Sequence, residues 1–236
     1  LHHPNIVKFL GVCLSPPDFF IVFEYCNHKS LLHVLKSKSV DLSWATRLKF
    51  ALDAARGMCF AHEQNILHRD LKTMNLLVHK SKSEYIVKVT HYYAKRRDIL
   101  MTMDDDSMLT GVVGTIAYMV PQKAALSMYG FAVDVFSFGY VMWEILTRKM
   151  PYHGMRSADI REAVLSNHRP NLPLSHPNLE VQKYAKLIER CWHMSPFERP
   201  VFAEIVRELE ILYDSARDRQ EKFTTIVVDS VYEKKQ

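Results

Sequence analysis

This 236-residue chain lacks paired cysteines, a membrane-length apolar run and a strong excess of either charge. Its four cysteines, Cys13, Cys26, Cys59 and Cys191, lie far apart and include no Cys-x-x-Cys pair. That spacing builds neither a zinc framework nor a disulfide scaffold, so a reducing, cytoplasmic location is expected. The longest apolar run, Phe136 to Leu146, is interrupted by Ser137 and Gly139 and is too short to cross a bilayer. It predicts a buried helix. Net charge is only +5, and Lys95-Arg96-Arg97 lies close to Asp104-Asp105-Asp106, so charge is mixed and forms no basic stripe. Neither a nucleic-acid partner nor a membrane segment is expected. No internal repeat, low-complexity tract or signal peptide is visible. The chain opens on Leu1-His2-His3-Pro4, and further sequence is expected upstream.

What is present suits a globular domain: 48% hydrophobic and 24% charged residues, with length enough to bury a core. Ile6 to Val12 and Phe19 to Phe23 are β-rich runs on either side of Ser15-Pro16-Pro17-Asp18, a strong turn signal, and predict a hairpin. Phe9, Val12, Phe20 and Val22 on it need cover that two strands cannot provide. From Ser43, a plausible N-cap, Trp44, Leu48, Leu52, Ala55 and Cys59 recur at helical spacing. Leu76 to Val78 and Tyr85 to Val89 read as strands joined by a polar turn over Lys80 to Glu84. Residues 94 to 114 have no period and read as a long surface loop, a kind that is usually functional or disordered. Further helices are expected at Phe131–Thr147, Ser157–Ser166, Asn178–His193 and Val201–Tyr213, followed by a polar tail from Asp214 to Gln236.

Chemistry concentrates in His68-Arg69-Asp70-Leu71-Lys72-Thr73-Met74-Asn75, with a base, a lysine and an amide in one short turn. Alone, such an octet could be a turn whose Asp and Asn cap backbone groups. It is followed in order by Gly114-Thr115-Ile116-Ala117-Tyr118-Met119-Val120-Pro121, by Asp134-Val135-Phe136-Ser137-Phe138-Gly139 and by Cys191-Trp192-His193-Met194-Ser195-Pro196-Phe197-Glu198-Arg199-Pro200. Together these resemble the protein kinases, nearest the tyrosine-kinase-like group of serine/threonine kinases, from Leu1 to about Tyr213. The resemblance implies an α+β, protein-kinase-like fold, mostly the helical C-lobe with a remnant β-hairpin of the N-lobe. Residues 1–26 would form the N-lobe remnant and hinge, 27–213 the C-lobe with an activation segment at about 91–122, and 214–236 an extension. The glycine-rich loop, the ATP-anchoring lysine and its glutamate partner would lie upstream of Leu1.

Roles follow by position. The resemblance makes Asp70 the catalytic base, Lys72 the lysine on the transferring phosphoryl group, and Asn75 the ligand of one Mg2+, with ATP as cofactor. Glu24-Tyr25-Cys26 resembles the hinge, whose Glu24 carbonyl and Cys26 amide would meet adenine, with Leu77 beneath it. Phe23 falls at the gatekeeper position, though Phe23 and Leu77 are equally compatible with plain core hydrophobes. Lys29 stands where relatives often have glycine, and His33 where a ribose-binding polar residue is common. Asp134 would hold the catalytic-loop backbone. Arg199 would face a glutamate, but Gln122 stands there, which replaces a charge-assisted pair by a neutral hydrogen bond. Thr102, Ser107, Thr110 and Thr115 lie in the activation segment, where a phosphate could pair with Arg69. Asp104 to Asp106 could supply part of that charge, although the simpler reading is a solvated acidic loop.

One departure dominates. Where the family places Asp-Phe-Gly, this chain has His91-Tyr92-Tyr93. Magnesium prefers anionic oxygen, and a neutral imidazole is a poor substitute. Losing about 4 kcal/mol of stabilisation slows a step roughly a thousandfold. Tyr93 also removes the backbone freedom of glycine. The expectation is a serine/threonine kinase by ancestry, acting on protein hydroxyls, inactive or strongly impaired as it stands. The alternative is a pseudokinase that docks or regulates a partner kinase.

Overall fold

The computed structural model describes residues 2–15, 18–37, 40, 42–81, 84–90 and 130–219. Two separate antiparallel hairpins accompany a helical body. Strand β1 (Phe9–Ser15) pairs with β2 (Asp18–Phe23), with an irregularity between Phe9 and Gly11. Strand β3 (Leu76–Ser81) pairs with β4 (Glu84–Val89) in an unbroken register from Leu76↔Val89 to Ser81↔Glu84. The helices are α1 (Leu31–Lys36), α2 (Trp44–Glu63), α3 (Gly130–Thr147), α4 (Ser157–Leu165), α5 (Leu179–Cys191) and α6 (Phe202–Arg219). Short 3-10 turns lie at Thr73–Asn75 and Pro196–Glu198.

The core sits between α2 and α3. Ser43 caps α2, its Oγ accepting from Thr46 N at 3.2 Å, and apolar residues then bury the helix against β4, α3 and α6. Every residue of α3 from Asp134 to Thr147 is buried, which is how a helix apolar all round must sit. Its last turn is closed by a buried cation. Arg47 donates through Nη1 to Leu146 O at 3.0 Å and through Nε to Leu42 O at 3.2 Å. Just beyond, Arg148 takes the left-handed conformation (φ 57°) and donates to the carbonyls of Leu35, Ser37 and Val40. These arginines satisfy carbonyls that helix ends leave without partners.

The later strands run longer than the sequence suggests, and the first is shifted along the chain: it begins at Phe9 and not Ile6, and reaches Ser15, which pairs with Asp18. Residues 5–7 instead pair with β4: Val7 N donates to Val89 O and Val89 N to Asn5 O, each at 2.9 Å, and Asn5 Nδ2 reaches Val87 O. The last helix passes Tyr213 and ends at Arg219, because Ala216 still buries its methyl. Phe9, Val12, Phe20 and Val22 remain 43 to 57% exposed, so among the described residues nothing covers the hairpin. No helix among the described residues is long and apolar enough to cross a membrane.

Gly57 lets α2 touch the strand formed by residues 5–7. A Cβ there would meet Asn5 O at 2.5 Å and Val89 Cγ2 at 2.8 Å. Gly57→Ala is therefore expected to destabilise by about 1–3 kcal/mol, as overpacking does, read as a lower urea midpoint.

Candidate active site

The octet is held from below by one carboxylate. Asp134, 1% exposed on α3, accepts from His68 N (2.9 Å, Oδ2) and Arg69 N (2.8 Å, Oδ1), and His62 Nε2 lies 2.9 Å from Oδ2. Two adjacent amides can reach one carboxylate here because Arg69 adopts φ 64°. A branched or bulky residue visits that region only when its surroundings impose it. His68 is fully buried. Its Nε2 donates to Thr90 O at 2.7 Å while Nδ1 accepts from Asp70 N at 3.3 Å, a pattern that requires the neutral Nε2–H tautomer.

Above this base, Asp70, Lys72 and Asn75 come together. Lys72 Nζ lies 2.9 Å from Asp70 Oδ2. Asn75 Nδ2 donates to Asp70 O at 2.7 Å and to Asp70 Oδ2 at 2.8 Å, which leaves the Asn75 amide oxygen available to another partner. Asn75 N in turn donates to Lys72 O, and Thr90 N to Asn75 O. Thr73 Oγ1 donates to the buried Glu144 and so ties the turn to α3. Chemically, the cluster can orient a hydroxyl at a carboxylate and place a cation beside it.

The segment at 23–30 is fastened to both hairpins. Lys88 Nζ contacts both Glu24 oxygens at 2.8 and 3.0 Å, and Lys8 N donates to Glu24 Oε1 at 2.7 Å. Burial pushes the Glu24 carboxyl upward, but the Lys88 and Lys8 donors more than offset it and hold it below its ordinary value of 4.5. Asn27 imitates a strand residue, its amide donating to Lys80 O at 3.0 Å and accepting from Lys80 N at 2.8 Å. Ser30 bridges Leu77, which is half-buried with Lys88 opposite it. Cys26 is buried, and desolvation followed by Glu24 raises its thiol. Phe23 meets Phe9 edge-on with ring centroids 6.0 Å apart and stays half exposed. Lys88 and Asn27 were not singled out by sequence reasoning. Lys88 carries a signal, a cation in an otherwise apolar strand, but its partner lies 64 residues away.

Arg199 makes contacts of its own. It donates to His193 O (2.8 Å), Ala132 O (2.9 Å) and Met194 O (3.1 Å), and its guanidinium lies 4.8 Å over the Phe136 ring. Burial, then the neighbouring Arg169, lowers it to about 10. Its expected neighbour Gln122 lies outside the described residues, as do His91, Tyr92, Tyr93, Thr102, Ser107, Thr110, Thr115 and the Asp104 to Asp106 cluster. A cavity of about 440 Å³ lies elsewhere, between residues 167–174 and the end of α5, and includes no residue of the octet.

Two outcomes test this geometry. Asp134→Ala removes the only side chain shown accepting from His68 N and Arg69 N, and at about 1–3 kcal/mol per unsatisfied buried donor it should lower stability by about 3 kcal/mol, seen in urea unfolding. Because the folded Glu24 pKa is depressed, its stabilising contribution is complete above pH 4.5 and is lost as pH falls through the folded value. The stability gap between the parent chain and Glu24→Gln should accordingly narrow in acid unfolding curves below that pH, and remain constant above it.

Comparison with known proteins agrees with the motif order and the fold. The family model for protein tyrosine and serine/threonine kinases matches residues 1–209. The chain is 37% identical over 212 residues to probable serine/threonine-protein kinase drkD of Dictyostelium discoideum, covering 89% of this chain and 16% of that protein. It is 39% identical over 213 residues to serine/threonine/tyrosine-protein kinase HT1 of Arabidopsis thaliana, covering 89% of this chain and 51% of that one. With mitogen-activated protein kinase kinase kinase 10 of Mus musculus it shares 33% over 224 residues, covering 92% and 23%. The chain thus spans about half or less of the length of these relatives. The family model over residues 1–209 and these relatives make this chain a member of the protein kinase family, within its serine/threonine kinases, and its mixed helices and small antiparallel sheets accord with that fold.

Proposed function

We propose that this chain carries the substrate-handling half of a serine/threonine kinase and is strongly impaired in phosphoryl transfer. The observation that carries the reading is the donor set. Asn75 Oδ1 is a neutral oxygen beside the Asp70 carboxylate, and the sequence supplies His91 where a second anionic ligand belongs. One amide oxygen and an imidazole do not suit magnesium, which prefers near-octahedral oxygen coordination. ATP would rest on Leu77 against the backbone of Glu24 and Cys26. Asp70 would orient a protein hydroxyl and accept its proton, and Lys72, already paired with Asp70, would neutralise negative charge beside it.

In this reading residues 1–26 are the N-lobe remnant and hinge, 27–213 the C-lobe and 214–236 an extension, with α6 running across the last of these bounds. A cytoplasmic location accords with four free cysteines. His91 also favours a second reading, a pseudokinase whose cleft surface docks a partner kinase.

Transfer of labelled phosphate from ATP to mixed protein substrates is expected at background for the full-length protein. His91→Asp should raise it about a hundredfold or more, and Asp70→Asn should abolish that gain. Turnover by the parent chain that Asp70→Asn removes would overturn the proposal. Nucleotide-induced thermal stabilisation should be no greater with magnesium than without it, and should become magnesium-dependent in His91→Asp.

A further inference from the structure

From Tyr25 to Val40 the sequence contains His28, Lys29, His33, Lys36 and Lys38 and not one aspartate or glutamate. Of these, Lys29, His33 and Lys36 are exposed, and none forms an ion pair among the described residues. Helix α1 buries Leu31, Val34 and Leu35, while His33 and Lys36, three residues apart, share its outer face. Lys29 precedes the Ser30 cap and holds φ 61°, a conformation that glycine would adopt without strain.

The patch adjoins the site. Ser30 bridges Leu77, and α1 packs on the 3-10 turn that carries Asn75. The Arg148 guanidinium, on the carbonyls of Leu35, Ser37 and Val40, adds positive charge under the far end of α1. At a rise of about 1.5 Å per helical residue, His33 and Lys36 lie roughly 5 Å apart along α1, and Lys29 stands just before its cap.

We propose that Lys29, His33 and Lys36 form a docking strip at the cleft mouth for a short acidic segment beside the hydroxyl of a protein substrate. The proposal rests on the reading that the cleft receives a protein hydroxyl. Charge complementarity selects glutamate or aspartate in a short tract, since the three basic groups lie within eight residues. An acidic protein segment is favoured over nucleic acid because the basic groups end within one short helix and the whole chain is only +5.

The test is fluorescence anisotropy with the full chain and a short labelled peptide bearing a run of glutamates beside one serine. Its counterpart carries glutamines. The glutamate peptide should bind at least about tenfold more tightly, and the preference should shrink as salt rises to about 300 mM. Lys29→Gly combined with Lys36→Ser should erase the preference, whereas Lys183→Ser, on exposed α5 surface, should keep it. Lys29→Gly fits the left-handed backbone, and Lys36→Ser alone provides a separate check. A preference that survives in the double variant overturns the proposal, as does equal binding of the glutamine peptide. Equal competition by an oligothymidylate of the same charge also overturns it, since the strip would then be a general polyanion surface. Binding is read without turnover, so an absence of phosphoryl transfer in the parent chain leaves this result standing, and transfer without acidic preference defeats this proposal alone.

Discussion

The Asp134 carboxylate is the constraint on which the candidate site depends. It comes from the most deeply buried helix and takes two consecutive backbone amides of the octet, with His62 completing its oxygen. Each of those amides would otherwise be a polar group without a partner in a dry interior. Meeting both forces Arg69 into its left-handed conformation, and that turn in the chain brings Asp70, Lys72 and Asn75 to one side. The chemistry is therefore referenced to the centre of the core and not to the surface loops around it. Glu144 on the same helix repeats the device two turns and more along by accepting from Thr73.

A second theme is the use of buried and half-buried cations to bind backbone carbonyls. Arg47, Arg148 and Arg199 all donate to backbone carbonyls, and those carbonyls come from helix ends and the loops beside them. A guanidinium has five donors in a fixed fork, so one residue can close several frayed ends at once. For Arg199 this means that its position is defined by Ala132, His193 and Met194, whatever residue 122 contributes. The Asp53 carboxylate does the converse on the other side of α2. It accepts from Val87 N and Lys49, and desolvation nonetheless outweighs those donors and raises its pKa.

Legibility from sequence divides along the range of the interactions. The Ser43 cap, the buried run in α3 and the Asn178 start of α5 depend on neighbours a few residues away, and each is where pattern places it. The six-residue α1 was not anticipated, because only Leu31, Val34 and Leu35 face inward and no period can develop in so short a helix. The pairing of residues 5–7 with β4 displaced the expected start of the first strand, since its partner lies more than eighty residues on. Within the site, Asp70, Lys72 and Asn75 were readable as a spaced set, and Asp134 only through family resemblance. The Glu24–Lys88 clamp was not readable, since nothing local in either segment identifies the other as its partner.

The β1–β2 ribbon carries one more implication. Among the described residues each strand pairs only with the other, leaving an open edge on both sides and apolar side chains on both faces. Such a ribbon is a template to which another extended chain can add by main-chain hydrogen bonds, whatever its sequence. The well-filled core around α2 and α3 does nothing to prevent that. A second extended chain seated on this ribbon would bury apolar side chains that the described residues leave exposed, without disturbing the packing between α2 and α3.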